Sequence, residues 1–102
     1  MPRNEAKLPR DPKPSDYCAL GWTQMASARR YSGEITAVNS EHACCWCAVG
    51  AIVAANYQDD LAISEAFEAV RAEIGGGDIT DWNDAPERTQ ADVVETLRRV
   101  GL

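Results

Sequence analysis

"SEHACCWCAVGAIVAAN", residues 40–56, is the stretch on which the reading of the fold turns. It sets His42, Cys44, Cys45, Trp46 and Cys47 within six consecutive positions and then runs into small and apolar residues as far as Ala55. A helix that is apolar all round sits at the centre of a core. Ser40 offers an N-cap oxygen, Glu41 suits the dipole of a first turn, and Asn56 is a stop. The stretch therefore predicts a buried central helix over 40–56, in which Gly50 and the alanines let neighbouring elements come close.

Four readings of the cysteines follow from that helix. Cys44 and Cys47, three apart, would share a face as a C-x-x-C at a helix start, where the dipole favours thiolate and hence redox chemistry. No βαβ pattern surrounds them, which argues against it. A metal site would have to draw on Cys18, His42, Cys44 and Cys47, yet no second ligand pair of the usual spacing exists. A thiol nucleophile would pair Cys47 or Cys44 with His42 and an orienting Asn83 or Asp84. His42 and Cys47, five apart on one helix, would point different ways. The remaining reading treats the cysteines as small hydrophobes inside a core, a place where free cysteine is common. It is preferred here, so neither metal nor cofactor is expected. A thiol-dependent enzyme or metal-binding domain using Cys47, Cys44 and His42 is the alternative.

Outward from this stretch, the apolar period becomes clear. Ile63, Phe67, Val70 and Ile74 fall on one helix face, with Asp59, Asp60 or Ser64 as caps and Gly75 to Gly77 as the end, so a helix is expected over 60–75. Thr89 and Asp92 resemble a capping box before Val93, Val94, Leu97 and Val100, which predicts a helix over 89–100. "DITDWNDAPERT", 78–89, reads as a polar loop between them. Upstream, Ser15 or Asp16 could cap a short helix reaching Met25 or Ala28, and "GEITAV" suggests a short β segment near 33–38. Residues 1–15 hold four of the five prolines and little apolar bulk, and read as a flexible arm. The expected architecture is thus mainly α: a small helical bundle of three main helices in one domain over 16–102.

Charge narrows the partners. Net charge is −6, and the segment from Asp59 to Glu95 carries eleven acids against Arg71 and Arg88 alone. Such a segment repels a phosphate backbone, so no direct nucleic-acid binding is expected; its complement is a protein with a basic surface. The longest apolar run has 13 residues, Ala43 to Ala55, too short for a membrane span. No apolar secretory segment opens the sequence, so a cytoplasmic protein with reduced thiols is expected.

Three tryptophans punctuate the chain. Trp22 follows Gly21, Trp46 lies in the apolar stretch, and Trp82 stands in a polar setting beside Asp81, Asn83 and Asp84. An aromatic side chain among polar ones can anchor an interface. Trp82, Asn83, Asp84, Asp78 and Asp81 are accordingly the candidate binding residues.

"GWTQ" at 21–24, "WCAVGA" at 46–51 and "DWND" at 81–84 together resemble an uncharacterised family of small bacterial and phage proteins with the motifs GW-x-Q, WC-x-x-GA and WND. The likeness spans about Gly21 to Val100. Trp22, Gln24, Trp46, Cys47, Gly50, Ala51, Trp82, Asn83 and Asp84 match it, while Cys44 and Cys45 do not belong to it. The resemblance implies an architecture and no mechanism. A phage or prophage origin, which it suggests, would suit a small acidic module that inhibits or regulates a host nucleic-acid-handling or defence protein.

Overall fold

Four of the helices begin with the same local chemistry. Asp59 accepts the backbone N–H of Ala62, and Asp78 that of Asp81, each at 3.1 Å. Thr89 and Asp92 exchange side-chain-to-backbone bonds, both at 3.1 Å, in a complete capping box. The fourth cap is a sulfur: Cys47 Sγ accepts the N–H of Gly50 at 3.2 Å. Each cap satisfies a donor that the first helical turn leaves orphaned.

The computed structural model describes residues 8–102. In chain order it contains α1 (Pro14–Leu20), β1 (Ala28–Arg29), β2 (Cys45–Trp46), α2 (Ala48–Ala55), α3 (Asp60–Glu73), α4 (Ile79–Asp84) and α5 (Gln90–Arg99). β1 and β2 pair antiparallel, Ala28 opposite Trp46 and Arg29 opposite Cys45. Helix α1 packs on α2 and α5, and α2 also meets α3 and α4. Trp46, Ile52, Val70, Val93 and Leu97 are fully buried where these elements meet. Tyr17 stands edge-on to Trp46, ring centroids 4.9 Å apart, and the Trp46 indole N–H donates to the Val38 carbonyl at 3.0 Å. That single ring ties α1, β2 and the 36–40 loop to one another.

The mainly α class holds, but the details differ from the expectation of three helices. The helix expected over 40–56 begins only at Ala48. Ser40 does not cap it; its hydroxyl accepts the N–H of His42 within a turn. Residues 44–47 run extended because their N–H groups go to neighbours: Cys44 to Arg29, Trp46 to Gly21 and Cys47 to Ser27. An apolar run without period is equally compatible with strand and helix, and here it is strand first and helix second. The β segment expected near 33–38 lies instead at Ala28–Arg29, with Ile35 joining Arg29 in an isolated bridge. The loop expected over 78–89 contains the short helix α4, whose Ile79 is buried. Two apolar side chains, Ile79 and Trp82, are too few to mark a period. The N-terminal helix ends at Leu20, where Gly21 turns extended at φ −168°.

Helix α1 includes Pro14 and Ser15, both buried, and Ser15 N–H donates to the Leu102 carbonyl at 3.3 Å. Of the arm expected over 1–15, residues 1–7 lie outside the described residues. Among the described residues no helix is long and apolar enough to cross a membrane.

Candidate functional site

Residues from the three stretches 21–24, 46–51 and 81–84 meet at one buried side chain. Asn83, in the last turn of α4, is fully buried. Its Oδ1 accepts the Trp22 indole N–H at 2.8 Å and the Ala48 backbone N–H at 3.0 Å. Its Nδ2 donates to the Thr23 carbonyl at 3.2 Å and to Asp84 Oδ1 at 3.0 Å. All four bonds open to an amide side chain are therefore made. Gln24 continues the junction, donating from Nε2 to the carbonyls of Asn83 at 3.0 Å and Ala85 at 2.9 Å. Asp84 Oδ1 also accepts the N–H of Met25 at 2.9 Å, steadying a residue in the left-handed region at φ 66°. One amide thus joins the 22–25 loop, the N-terminus of α2 and the end of α4.

The glycines of the motifs serve close approach. A Cβ at Gly50 would overlap the Ser27 carbonyl, and one at Gly21 would overlap the Cys44 carbonyl. Trp46 and Ala51 are fully buried. The motif set Trp22, Gln24, Trp46, Cys47, Gly50 and Ala51 is therefore a packing and hydrogen-bonding framework, and Asn83 belongs with it because no surface of it reaches solvent.

The thiols divide into an interior pair and an outer pair. Cys18 Sγ lies 3.7 Å from the Trp46 carbonyl and 3.8 Å from that of Cys47, enclosed by the core. Burial, and then the nearby Cys47, push its pKa far above the ordinary thiol range. Cys47 is also raised by burial, against the lowering effect of the Gly50 N–H on its sulfur. Neither is disposed to be a thiolate nucleophile at neutral pH. His42 and Cys47 line separate depressions: His42 with Arg30, Tyr31, Ser32 and Glu34, and Cys47 with Met25, Ser27, Thr80 and Asp84. Cys44 and Cys45 are half-buried, with their sulfurs 3.7 Å apart. Among the described residues no group of three or more His, Cys, Asp or Glu side chains is placed to hold a metal ion, so Cys18, His42, Cys44 and Cys47 do not converge.

The second candidate region is the acidic surface. Trp82 is half-buried, and the Arg88 guanidinium lies 4.4 Å from its ring centroid while Arg88 Nε donates to the Trp82 carbonyl at 2.9 Å. Asp78, the N-cap of α4, and Asp81, in its first turn, are exposed. Several acids are already engaged: Glu68 with Arg71, and Glu73 and Glu95 with Arg99. Asp60, Glu65, Asp81 and Glu87 are exposed and meet no cation among the described residues. Leu61, on α3 between the first two of these, is 71% exposed. Sequence reasoning missed Thr23, Arg88 and Leu61. For Leu61 the signal was present, since it lies off the Ile63–Phe67–Val70–Ile74 stripe.

Residues 19–101 match a family described as a family of unknown function, DUF6197, and the chain belongs to it. No curated protein and no solved structure matches the chain.

Proposed function

We propose that the domain works by binding a protein partner with a basic surface rather than by catalysis. The observation that carries this reading is the set of exposed carboxylates Asp60, Glu65, Asp81 and Glu87, left without a cation among the described residues, with Leu61 exposed on the same helix as two of them. Leu61 and Glu65, four apart, share a face of α3. An exposed apolar side chain with Asp60 beside it and Glu65 one turn on offers both parts of an interface. Its contact area slows dissociation, and its charges speed encounter with a basic patch. Trp82 and Asp78 would add contacts from α4, nearer the C-terminal end of α3. Asn83 and Asp84 support it from behind, through the bonds that hold α4 in place. On this reading the domain is an accessory module that acts by occupying another protein, in keeping with inhibition or regulation of a nucleic-acid-handling or defence protein.

The test compares the native chain with a variant in which Asp60, Glu65, Asp81 and Glu87 are all changed to Lys. Both are used as crosslinking baits in extract of the native cell, at low and high salt. A partner captured by the native chain, lost at high salt and lost in the variant is the expected result. Equal capture by the two folded proteins at low salt contradicts the reading.

A further inference from the structure

Cys44 and Cys45 lie outside the junction and outside the acidic surface, and nothing assigned above uses them. Successive side chains of an extended strand ordinarily point to opposite faces. Here the two sulfurs are turned toward each other at 3.7 Å, both half-buried and both free. The backbone beneath them is held on two sides. The Cys44 N–H donates to the Arg29 carbonyl at 2.9 Å, the Trp46 N–H donates to the Gly21 carbonyl at 2.9 Å, and the Cys44 carbonyl sits directly against Gly21.

We propose that Cys44 and Cys45 form a preformed dithiol site for a soft, thiophilic centre that needs only two protein ligands, of the class of monosubstituted trivalent arsenicals. The separation selects the ligand. An atom bonded to both sulfurs at about 2.3 Å, a typical soft-metal thiolate length, would subtend an angle of ~107° across the 3.7 Å gap. That angle suits a pyramidal or tetrahedral centre. A linear two-coordinate ion would need the sulfurs about 4.6 Å apart, twice that bond length. Zinc would want two further ligands, and no third His, Cys, Asp or Glu joins the pair among the described residues. A direct disulfide would draw the sulfurs to about 2.05 Å and close an eight-membered ring through the Cys44–Cys45 peptide. The hydrogen bonds to Arg29 and Gly21 on either side resist that distortion. A one-atom bridge leaves the backbone where it is.

The reaction balances without an oxidant. An arsenoso group, R–As=O, takes two thiols to form R–As(S–Cys)2. Two As–S bonds form, the two S–H protons leave with the oxygen as one water, and neither arsenic nor sulfur changes oxidation state. Preorganisation of the two donors lowers the cost of chelation, so the native pair should bind about tenfold or more tightly than the same two cysteines in a short peptide.

Phenylarsine oxide added to the reduced full chain, followed by intact mass spectrometry, tests this. One adduct per chain is expected, equal to the reagent less one water, stable to excess glutathione and removed by ethanedithiol. Cys44→Ser and Cys45→Ser should each abolish it, with folding checked by circular dichroism. Independently of any variant, the reagent should protect Cys44 and Cys45 of the native protein from iodoacetamide, as read by peptide mapping. The proposal is overturned by no adduct, by an adduct that persists in either variant, by protection of Cys18 or Cys47 instead, by peptide binding as tight as the protein's, or by a Cys44–Cys45 disulfide forming under stoichiometric hydrogen peroxide as readily as the adduct.

Discussion

The indole N–H of Trp22 donates to Oδ1 of Asn83 at 2.8 Å across 61 positions of sequence. The same oxygen accepts the N–H of Ala48 at 3.0 Å, so one atom closes both the GW-x-Q loop and the N-terminus of α2 onto α4. The three stretches 21–24, 46–51 and 81–84 of this chain are in this way one structure. The surface proposed to meet a partner is elsewhere, on the exposed faces of α3 and α4.

Gly50→Ala should destabilise the protein, against helix propensity. Alanine is the better helix former by about 1 kcal/mol, but its Cβ would overlap the Ser27 carbonyl, which is backbone and anchored by the Cys47 N–H. Thermal unfolding of the variant checks this. An unchanged or raised Tm would mean that the 21–29 segment yields easily and is not the rigid wall described here.

Trp46→Ala should cost roughly 3–5 kcal/mol, as truncation of a fully buried aromatic does. Trp82→Ala should cost clearly less, because Trp82 is only half-buried. Arg88→Ala should cost about 0.5–1 kcal/mol, the scale of a partly exposed cation–π contact, and should shift Trp82 fluorescence to the red. Urea unfolding of the three variants separates the cases. A Trp82→Ala protein as damaged as Trp46→Ala would move Trp82 from the surface account into the core.

Stability should fall as pH rises above about 9. Burial raises Cys18 and Cys47 above the ordinary thiol range, so the folded chain keeps protons that the unfolded chain gives up. With the folded pKa above the unfolded one, this contribution is complete below pH 9 and is lost as pH climbs toward the folded value. Denaturant midpoints of the native chain and Cys18→Ala, followed from pH 7 to 10.5, give the check. The native chain should lose more over this range than the variant. Parallel curves would show that Cys18 is not the group responsible.

Local chemistry carried the legible part of the fold. The Thr89–Asp92 capping box and the Ile63–Phe67–Val70–Ile74 stripe have fixed spacings, and α5 and α3 lie within two residues of where those spacings put them. Residues 44–47 were illegible because their conformation is decided by partners at Gly21, Ser27 and Arg29, fifteen or more positions away, and an all-apolar run carries no period to reveal it. Helix α4 hid for a different reason: its cap, Asp78, was read as surface charge and only Ile79 and Trp82 marked its inner side. Of the candidate residues, Trp22, Gln24 and Asn83 could be singled out by type and setting, since buried amides and indoles need partners. That they meet each other depends on the tertiary fold and could not be read from spacing.

The most direct test of the junction is equilibrium urea unfolding of Asn83→Ala. The substitution removes the acceptor shared by the Trp22 indole and the Ala48 amide, stranding the Ala48 donor in a buried setting and the Trp22 donor in a part-buried one. At about 1–3 kcal/mol for each unsatisfied group, a loss of roughly 2–6 kcal/mol is expected. A loss smaller than about 0.5 kcal/mol, the range of an ordinary surface substitution, would contradict the claim that Asn83 ties the three motifs together.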